Sequence, residues 1–367
     1  MKSRRIWAEV DLAAIIGNAR SVADLVRPSR IMAVVKADAY GHGMEPVACA
    51  LAGSGIDCFA VAGIDEACRL RAALGLDASI TALSPLPPGA EPDAVGAGIA
   101  CLVSDADGMA RLSDAAETAG CRAHIHLEVD TGMGRTGGSV GAFAGLLRLA
   151  ARSPWLRLDG ICTHLAAADT DPDFTGLQLA RFAEAAAMAP AGVARHCAAT
   201  TGILGYPEAR YDLVRPGMLL YGLRPAMEGS ELPLVPALAL RCSVALVQEM
   251  PAGWTVGYGR TARLARPSRV AVLSVGYGDG YPRTLSNRGA VLVRGRRCPI
   301  IGTVCMDLTM VDVTDLPEVC PGDTATLVGG DGEERITVEE IARTVGTTEH
   351  EITTRLMPRV PRDYLGA

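Results

Sequence analysis

Eight short apolar runs recur between residues 11 and 230: "IMAVV", "CFAVAG", "SITAL", "IACLVS", "AHIHLEV", "LRLDGICTH", "RHCAA" and "YDLVRPG". Most are separated by Ala- or Leu-rich stretches that read as helices, as at residues 142–151 and 177–188. A first helix precedes them: Leu12, Ile15, Ile16, Ala19, Val22, Ala23 and Val26 share one face, with Asp11 at the N-cap position. Eight strand–helix units in this span predict a closed parallel barrel ringed by helices, the (β/α)8 TIM type of α/β fold. A doubly wound open sheet is the alternative. It needs fewer strands, and no Gly-x-Gly-x-x-Gly follows the first strand here.

After "EGSELPLVPAL" the texture changes to β-rich runs divided by Gly and Pro turns: "ALRCSVALVQ", "SRVAVLSVGYG", "GAVLVRG", "DTATLVGG". The expected organisation is a barrel over 11–230 and a mainly β domain over 231–367, with residues 1–10 joining the second through the alternation at 3–10. One short helix, "TVEEIARTVG", has Thr337 as its cap and Glu340 three residues later.

A net charge of -6 argues against nucleic acid or an anionic membrane as partner, and "RGRR" reads as a solvated turn. Eleven scattered cysteines, with no Cys-x-x-Cys, suit neither a disulfide framework nor a zinc knuckle. Free buried thiols in a reducing compartment are the simpler account. Glu9 and Asp11 interrupt any signal-peptide core, and no long uncharged apolar run is present, so the expected location is cytoplasmic, with no membrane span.

The first strand runs into "AVVKADAYGHG" and delivers Lys36 at its C-terminal end, the end where barrels of this type place working groups. A lone lysine there commonly just reaches water. Tyr40 offers a hydroxyl one turn on, and Gly41 and Gly43 permit close backbone approach to a ligand.

"AVVKADAYGHG" resembles the pyridoxal phosphate attachment motif of the alanine racemase family. "DTGMGR", "THLAAAD", "RPGMLLYG", "WTVGYG", "GYGDGY", "GTVCMD" and "PRVPRDY" follow in family order, so the resemblance covers essentially the whole chain. It implies a homodimeric racemase of a small-molecule amino acid, with pyridoxal 5'-phosphate joined to Lys36 as an imine. The chemical need is plain: a free lysine, pKa about 10.4, is mostly protonated at neutral pH, and an imine makes its nitrogen part of an electron sink.

The resemblance further assigns Tyr258, from the β domain of the other subunit, as the second base. A free phenol has pKa about 10, so its anion needs support. His164 is the match for the group that bonds both this tyrosine and an arginine. That arginine, Arg215, is set against the pyridine nitrogen; as a permanent cation it leaves the ring nitrogen unprotonated and the sink weak, which favours quick reprotonation. The phosphate falls to Tyr40, Thr200, the amides of Gly217 and Met218, and Tyr364; Thr200 read alone is equally an N-cap. Arg135 is matched to the cofactor's phenolic oxygen and the substrate carboxylate, the Met306 amide to that carboxylate, and Tyr277, Asp169 and Arg283 to the entrance. Asp307 supports its loop.

The chain departs from the family pattern at several places. Glu128 stands where many relatives carry a carbamylated lysine, and its carboxylate is expected to pair with Arg135, directly or through a water. By strand alternation His126, Glu128 and Asp130 share one face. That face has no fourth ligand, so no metal is expected. Thr303 replaces a common arginine at the entrance, Arg362 a common aliphatic residue, and Ala199 a frequent asparagine. Alanine is the expected substrate and serine the close alternative, because a small pocket excludes one added hydroxyl poorly. A decarboxylase on the same scaffold would present a carboxylate to the ring nitrogen, which Arg215 contradicts; a non-catalytic carrier would have no use for Tyr258.

Overall fold

The computed structural model describes residues 4–225 and 232–366. The expected boundary at 230/231, and the outermost residues of the N-terminal extension, lie outside the described residues. All eight runs form strands: Arg30–Ile31 with Ala33–Val34 as the first, then Cys58–Val61, Ser79–Ala82, Ala100–Val103, Ala123–Asp130, Leu156–Cys162, Ala194–His196 and Leu213–Val214. Neighbours pair in parallel from the first strand to the seventh. The ring closes where Leu213 and Val214 pair with Arg30 and Ile31, and where the Arg215 amide donates to the Ala198 carbonyl at 2.9 Å.

Strand alternation sends alternate side chains to opposite faces. On the first two strands Ala33, Val35, Phe59 and Val61 belong to the main core, whereas Met32, Val34, Cys58 and Ala60 form a separate buried cluster with Leu213. The first helix spans Leu12–Val26, and Asp11 accepts from the Ala14 amide at 2.9 Å. The helices expected at 142–151 and 177–188 extend to Val140–Arg152 and Pro172–Met188, because Ser139 and Asp171 cap them earlier than the apolar pattern begins.

The second unit is a mainly antiparallel sheet built on the long strand Leu238–Met250. Ile6–Asp11 pairs antiparallel with that strand and parallel with Arg362–Leu365, so both ends of the chain meet in one sheet. The helix Val338–Val345 is capped by Thr337, whose hydroxyl accepts from the Glu340 amide at 3.1 Å. "RGRR" is more structured than a solvated turn: Arg294 pairs with Asp323, and Arg297 with Glu334 and Glu340. All eleven cysteines are free. Six are buried and five are partly or fully exposed, so burial alone does not describe them.

Candidate active site

Lys36 ends the first strand and opens on a cavity of about 880 Å³ at the C-terminal rim of the barrel. The chain does not continue there as an ordinary helical turn. Ala37, Asp38, Ala39 and Tyr40 have φ of 52°, 54°, 53° and 55°, one left-handed turn of four residues. For non-glycine residues such a conformation costs about 1–2 kcal/mol each, so surrounding contacts must hold it. Asp38 Oδ1 accepts from the Met44 amide at 3.0 Å, and Arg362 Nε donates to the Gly41 carbonyl at 3.2 Å. A Cβ on Gly41 would lie 2.1 Å from the Thr353 carbonyl oxygen, which is why this position is glycine. The turn brings Tyr40 under Gly217 and stacks its ring on Tyr221 at 5.1 Å.

Arg215 is buried on the floor of the site and is held from two sides. Its Nη1 donates to His196 Nδ1 at 2.6 Å and to the His196 carbonyl at 3.0 Å. Its Nη2 donates to the Thr163 carbonyl at 2.9 Å, the Cys197 carbonyl at 3.1 Å and His164 Nδ1 at 3.2 Å. A guanidinium only donates, so both imidazoles accept through Nδ1 and carry their proton on Nε2. His196 therefore donates onward to His126 Nδ1 at 2.8 Å. Burial and then the Arg215 charge lower the pKa of His164 to about 3; the same causes push His196 well down. Burial lowers His126 to about 4. All three are neutral near pH 7, and His164 keeps an Nε2–H available to an incoming oxygen. Among the described residues Arg215 Nε has no partner.

Other expected residues line the same cavity: Tyr40, Glu128, Arg135, Asp169, Thr200, Gly217 and Met218. Thr200 begins the short helix Thr200–Gly205 and Ala199 is its N-cap without a side-chain bond, so the Thr200 hydroxyl is not spent on capping. The second unit contributes Thr347, Thr348, Glu349 and His350 to the wall. His350 Nδ1 is buried without a partner, and its ring stands edge-on to Tyr40 at 6.2 Å. Sequence reasoning missed His350, His196 and the supporting role of His126. His196 lies in the seventh strand run and was reachable from there; the others carry no local signal.

Several expected placements differ. Glu128 makes no direct ion pair with Arg135 among the described residues; its Oε2 accepts from the Ser104 hydroxyl at 3.4 Å. The glutamate chain is buried, whereas Arg135 sits on an exposed loop. Asp130 accepts from the Gly132, Met133 and Gly134 amides at 2.8–3.2 Å, tying down that loop. Ala123, Ile125, Leu127 and Val129 face the main core, so alternation sends His126, Glu128 and Asp130 to the other face, where His126 Nδ1 meets His196. Tyr364 does not line the cavity; its hydroxyl occupies the space a Cβ on Gly43 would need, 1.9 Å away. Arg362 supports the left-handed turn, reaching Gly41 and lying 3.5 Å from Asp38.

Tyr258, Tyr277, Arg283 and Met306 are likewise absent from the lining. They stand on the second unit, Tyr258 at 74% and Met306 at 54% exposed. Thr255–Val256 pairs with Ala262–Arg263, and the turn between them presents Tyr258. Thr303 is buried and donates to the Tyr258 carbonyl at 2.8 Å, so it positions that turn. The Tyr277 and Gly278 amides donate to the Cys305 and Met306 carbonyls at 3.0 and 2.8 Å, and Asp307 pairs with Arg359 beside them.

Residues 10–225 match the family described as alanine racemase, N-terminal domain, and residues 237–364 that described as alanine racemase, C-terminal domain. The chain belongs to the alanine racemase family. A curated alanine racemase of Symbiobacterium thermophilum is 42% identical, covering 99% of this chain and 98% of that one. Among solved structures, the alanine racemase of the D-cycloserine producer Streptomyces lavendulae is 35% identical, with TM-score 0.95, covering 100% and 98%. That of Bartonella henselae, with covalently bound pyridoxal phosphate, is 33% identical, with TM-score 0.91, covering 99% and 100%.

Proposed function

We propose that this chain interconverts L- and D-alanine with pyridoxal 5'-phosphate, using Lys36 on one face of the substrate and Tyr258 of the partner subunit on the other. The observation that carries the reading is the buried Arg215, held between two neutral histidines, with Lys36 in the same cavity. The cavity fits the cofactor in size, and in the order of its groups: a lysine at a strand end, a cation on the floor, the Tyr40 and Thr200 hydroxyls beside Gly217 and Met218. When bound through its aldehyde to the lysine, the cofactor supplies an electron sink that acidifies the substrate's Cα–H.

Lys36 Nζ, once released, moves a proton at Cα on its own side. Burial, with Arg135 and Arg215, lowers its pKa below the usual lysine value, which favours the neutral base. Arg215, its Nε without a partner among the described residues, would hold the cofactor's ring nitrogen and, being a permanent cation, would give no proton to it. Tyr258 of the partner subunit moves the proton on the other side, and the Nε2–H of His164 donates to its phenolate. Arg135 orients the substrate carboxylate, with Glu128 behind it. The reading of shared sites in a homodimer rests on Tyr258 and Met306, exposed and outside their own chain's cavity. Among the described residues no helix is long and apolar enough to cross a membrane. A cytoplasmic location is supported by eleven free thiols, which suit a reducing compartment.

The test is incubation of the cofactor-loaded protein with one enantiomer of alanine in deuterated water. Loss of optical activity with α-deuterium uptake is expected; release of carbon dioxide and ethylamine, with the remaining alanine unchanged in configuration, would replace racemisation by decarboxylation.

A further inference from the structure

Ordinary ladder bonding between the first two barrel strands ends where the Val35 amide donates to the Ala60 carbonyl at 2.9 Å. Just beyond, two amides come forward with no strand left to receive them: Ala37, one residue after Lys36, and Ala62 on the neighbouring strand end. One carboxylate takes both. Glu66 Oε1 accepts from Ala37 at 2.7 Å and Glu66 Oε2 from Ala62 at 2.8 Å.

Glu66 lies in the first turn of the helix Ile64–Leu74, whose N-cap is Gly63 and offers no side chain. The bond to Ala62 is a reach-back that any helix start can use. The bond to Ala37 is different. It crosses 29 residues, does nothing for the helix, and seizes the first residue of the left-handed turn. The far end of that turn is held by Asp38, Arg362 and the packing at Gly41; the near end, next to Lys36, has Glu66.

We propose that Glu66 is a positioning residue for Lys36, its bridged carboxylate locking the strained turn that aims the lysine and supplying the negative charge that offsets Arg135 and Arg215. Besides Glu66 from the second strand–helix unit, the charged and titratable groups that share the cavity with Lys36 are Tyr40, Glu128, Arg135, Cys162, His164, Asp169 and Arg215 from the barrel, and Glu349 and His350 from the second domain. Of those acting on the lysine, Arg135 and Arg215 disfavour its charged form and Glu66 favours it. Arg69 also feels Glu66, but its own partner is Glu45 at 2.6 Å. This role rests on the reading that Lys36 carries the cofactor.

The chain suits a direct test, because Lys2 and Lys36 are its only lysines. Carbon-13 methylation of the full-length protein without cofactor gives lysine NMR signals from these two positions alone. Glu66→Gln keeps shape and removes charge; Glu66→Ala removes both. In each variant the Lys36 titration midpoint should fall while that of Lys2 stays. In the loaded enzyme Glu66→Gln should lower kcat by about tenfold with KM within about twofold, the pattern of a misaimed group. A Lys36 midpoint unmoved in both variants overturns the proposal, whatever happens to rate or melting temperature, and leaves Glu66 a helix cap. Borohydride trapping of loaded wild-type protein separates the two readings: an unlabelled Lys36 peptide defeats the cofactor assignment, while the NMR midpoints judge Glu66 independently.

Discussion

The barrel rim and the hairpin of the second domain hold the two proposed proton-transfer groups in opposite ways. Around Lys36 everything is over-determined: a left-handed turn tied by Glu66, Asp38 and Arg362, and a buried arginine bonded to two imidazoles and three carbonyls. Around Tyr258 only the backbone is fixed, by Thr303, and the phenol stands in solvent. The barrel side holds its groups within one chain; the hairpin side is a fixed backbone with an exposed phenol, which the proposed dimer would bring to a second copy's cavity. A reaction that needs groups on both faces of one carbon invites this division, because a single barrel mouth approaches its ligand mainly from one side.

The largest expected effect tests the complete half. Lys36→Ala should lower kcat/KM by about 10⁴-fold or more, since covalent attachment and one base are lost together. Tyr258→Phe should cost about 10²–10⁴ in inversion. Exchange of the α-hydrogen with solvent on the Lys36 side should persist, which chiral analysis of deuterated product would reveal; unimpaired inversion would remove Tyr258 from the reaction. Mixing the two inactive variants sharpens the comparison further. In a twofold dimer with shared sites, random re-pairing leaves about a quarter of sites with both wild-type groups, so about that share of activity should return. No recovery would mean that each chain completes its own site.

Acid should expose the same asymmetry in stability. His42, His126 and His164 are buried in the barrel unit with pKa lowered to about 4, 4 and 3. Their folded values lie below the unfolded value near 6.5, so the unfolded chain takes up protons first as pH falls. The neutral-histidine contribution is fully present above about pH 6.5 and is lost progressively down to about pH 3. Denaturant midpoints should therefore decline through that window and be flat, as far as these groups are concerned, from 7 to 8. Replacing His126 by a neutral isostere should flatten the decline. The smallest effect belongs to Glu128→Gln. With Arg135 exposed and no direct pair formed, KM for alanine should rise at most about fivefold, the scale of a screened ion pair.

The strand runs, the first helix with its Asp11 cap and the β-rich texture of the later half were legible because hydrophobic period and turn residues are local properties. Lys36, Arg215 and His164 were singled out through motifs on strand ends that the fold brings to one cavity, and Tyr258 through a motif on the hairpin. Tyr364 packs on Gly43, a contact between chain regions far apart in sequence that no local pattern carries. Alternation puts His126 on the face opposite the core, but its partner His196 lies 70 residues away, beyond the reach of local pattern.

By itself the sequence determined the order of elements, the strand-end lysine and the family to which the chain belongs, since these follow from side-chain pattern along one dimension. Only the tertiary structure decided the handedness of the turn after Lys36, the tautomers of the histidines around Arg215 and the carboxylate shared between Ala37 and Ala62. Each of these depends on a hydrogen-bond partner 19 or more residues away, and such a partner is chosen when the barrel closes.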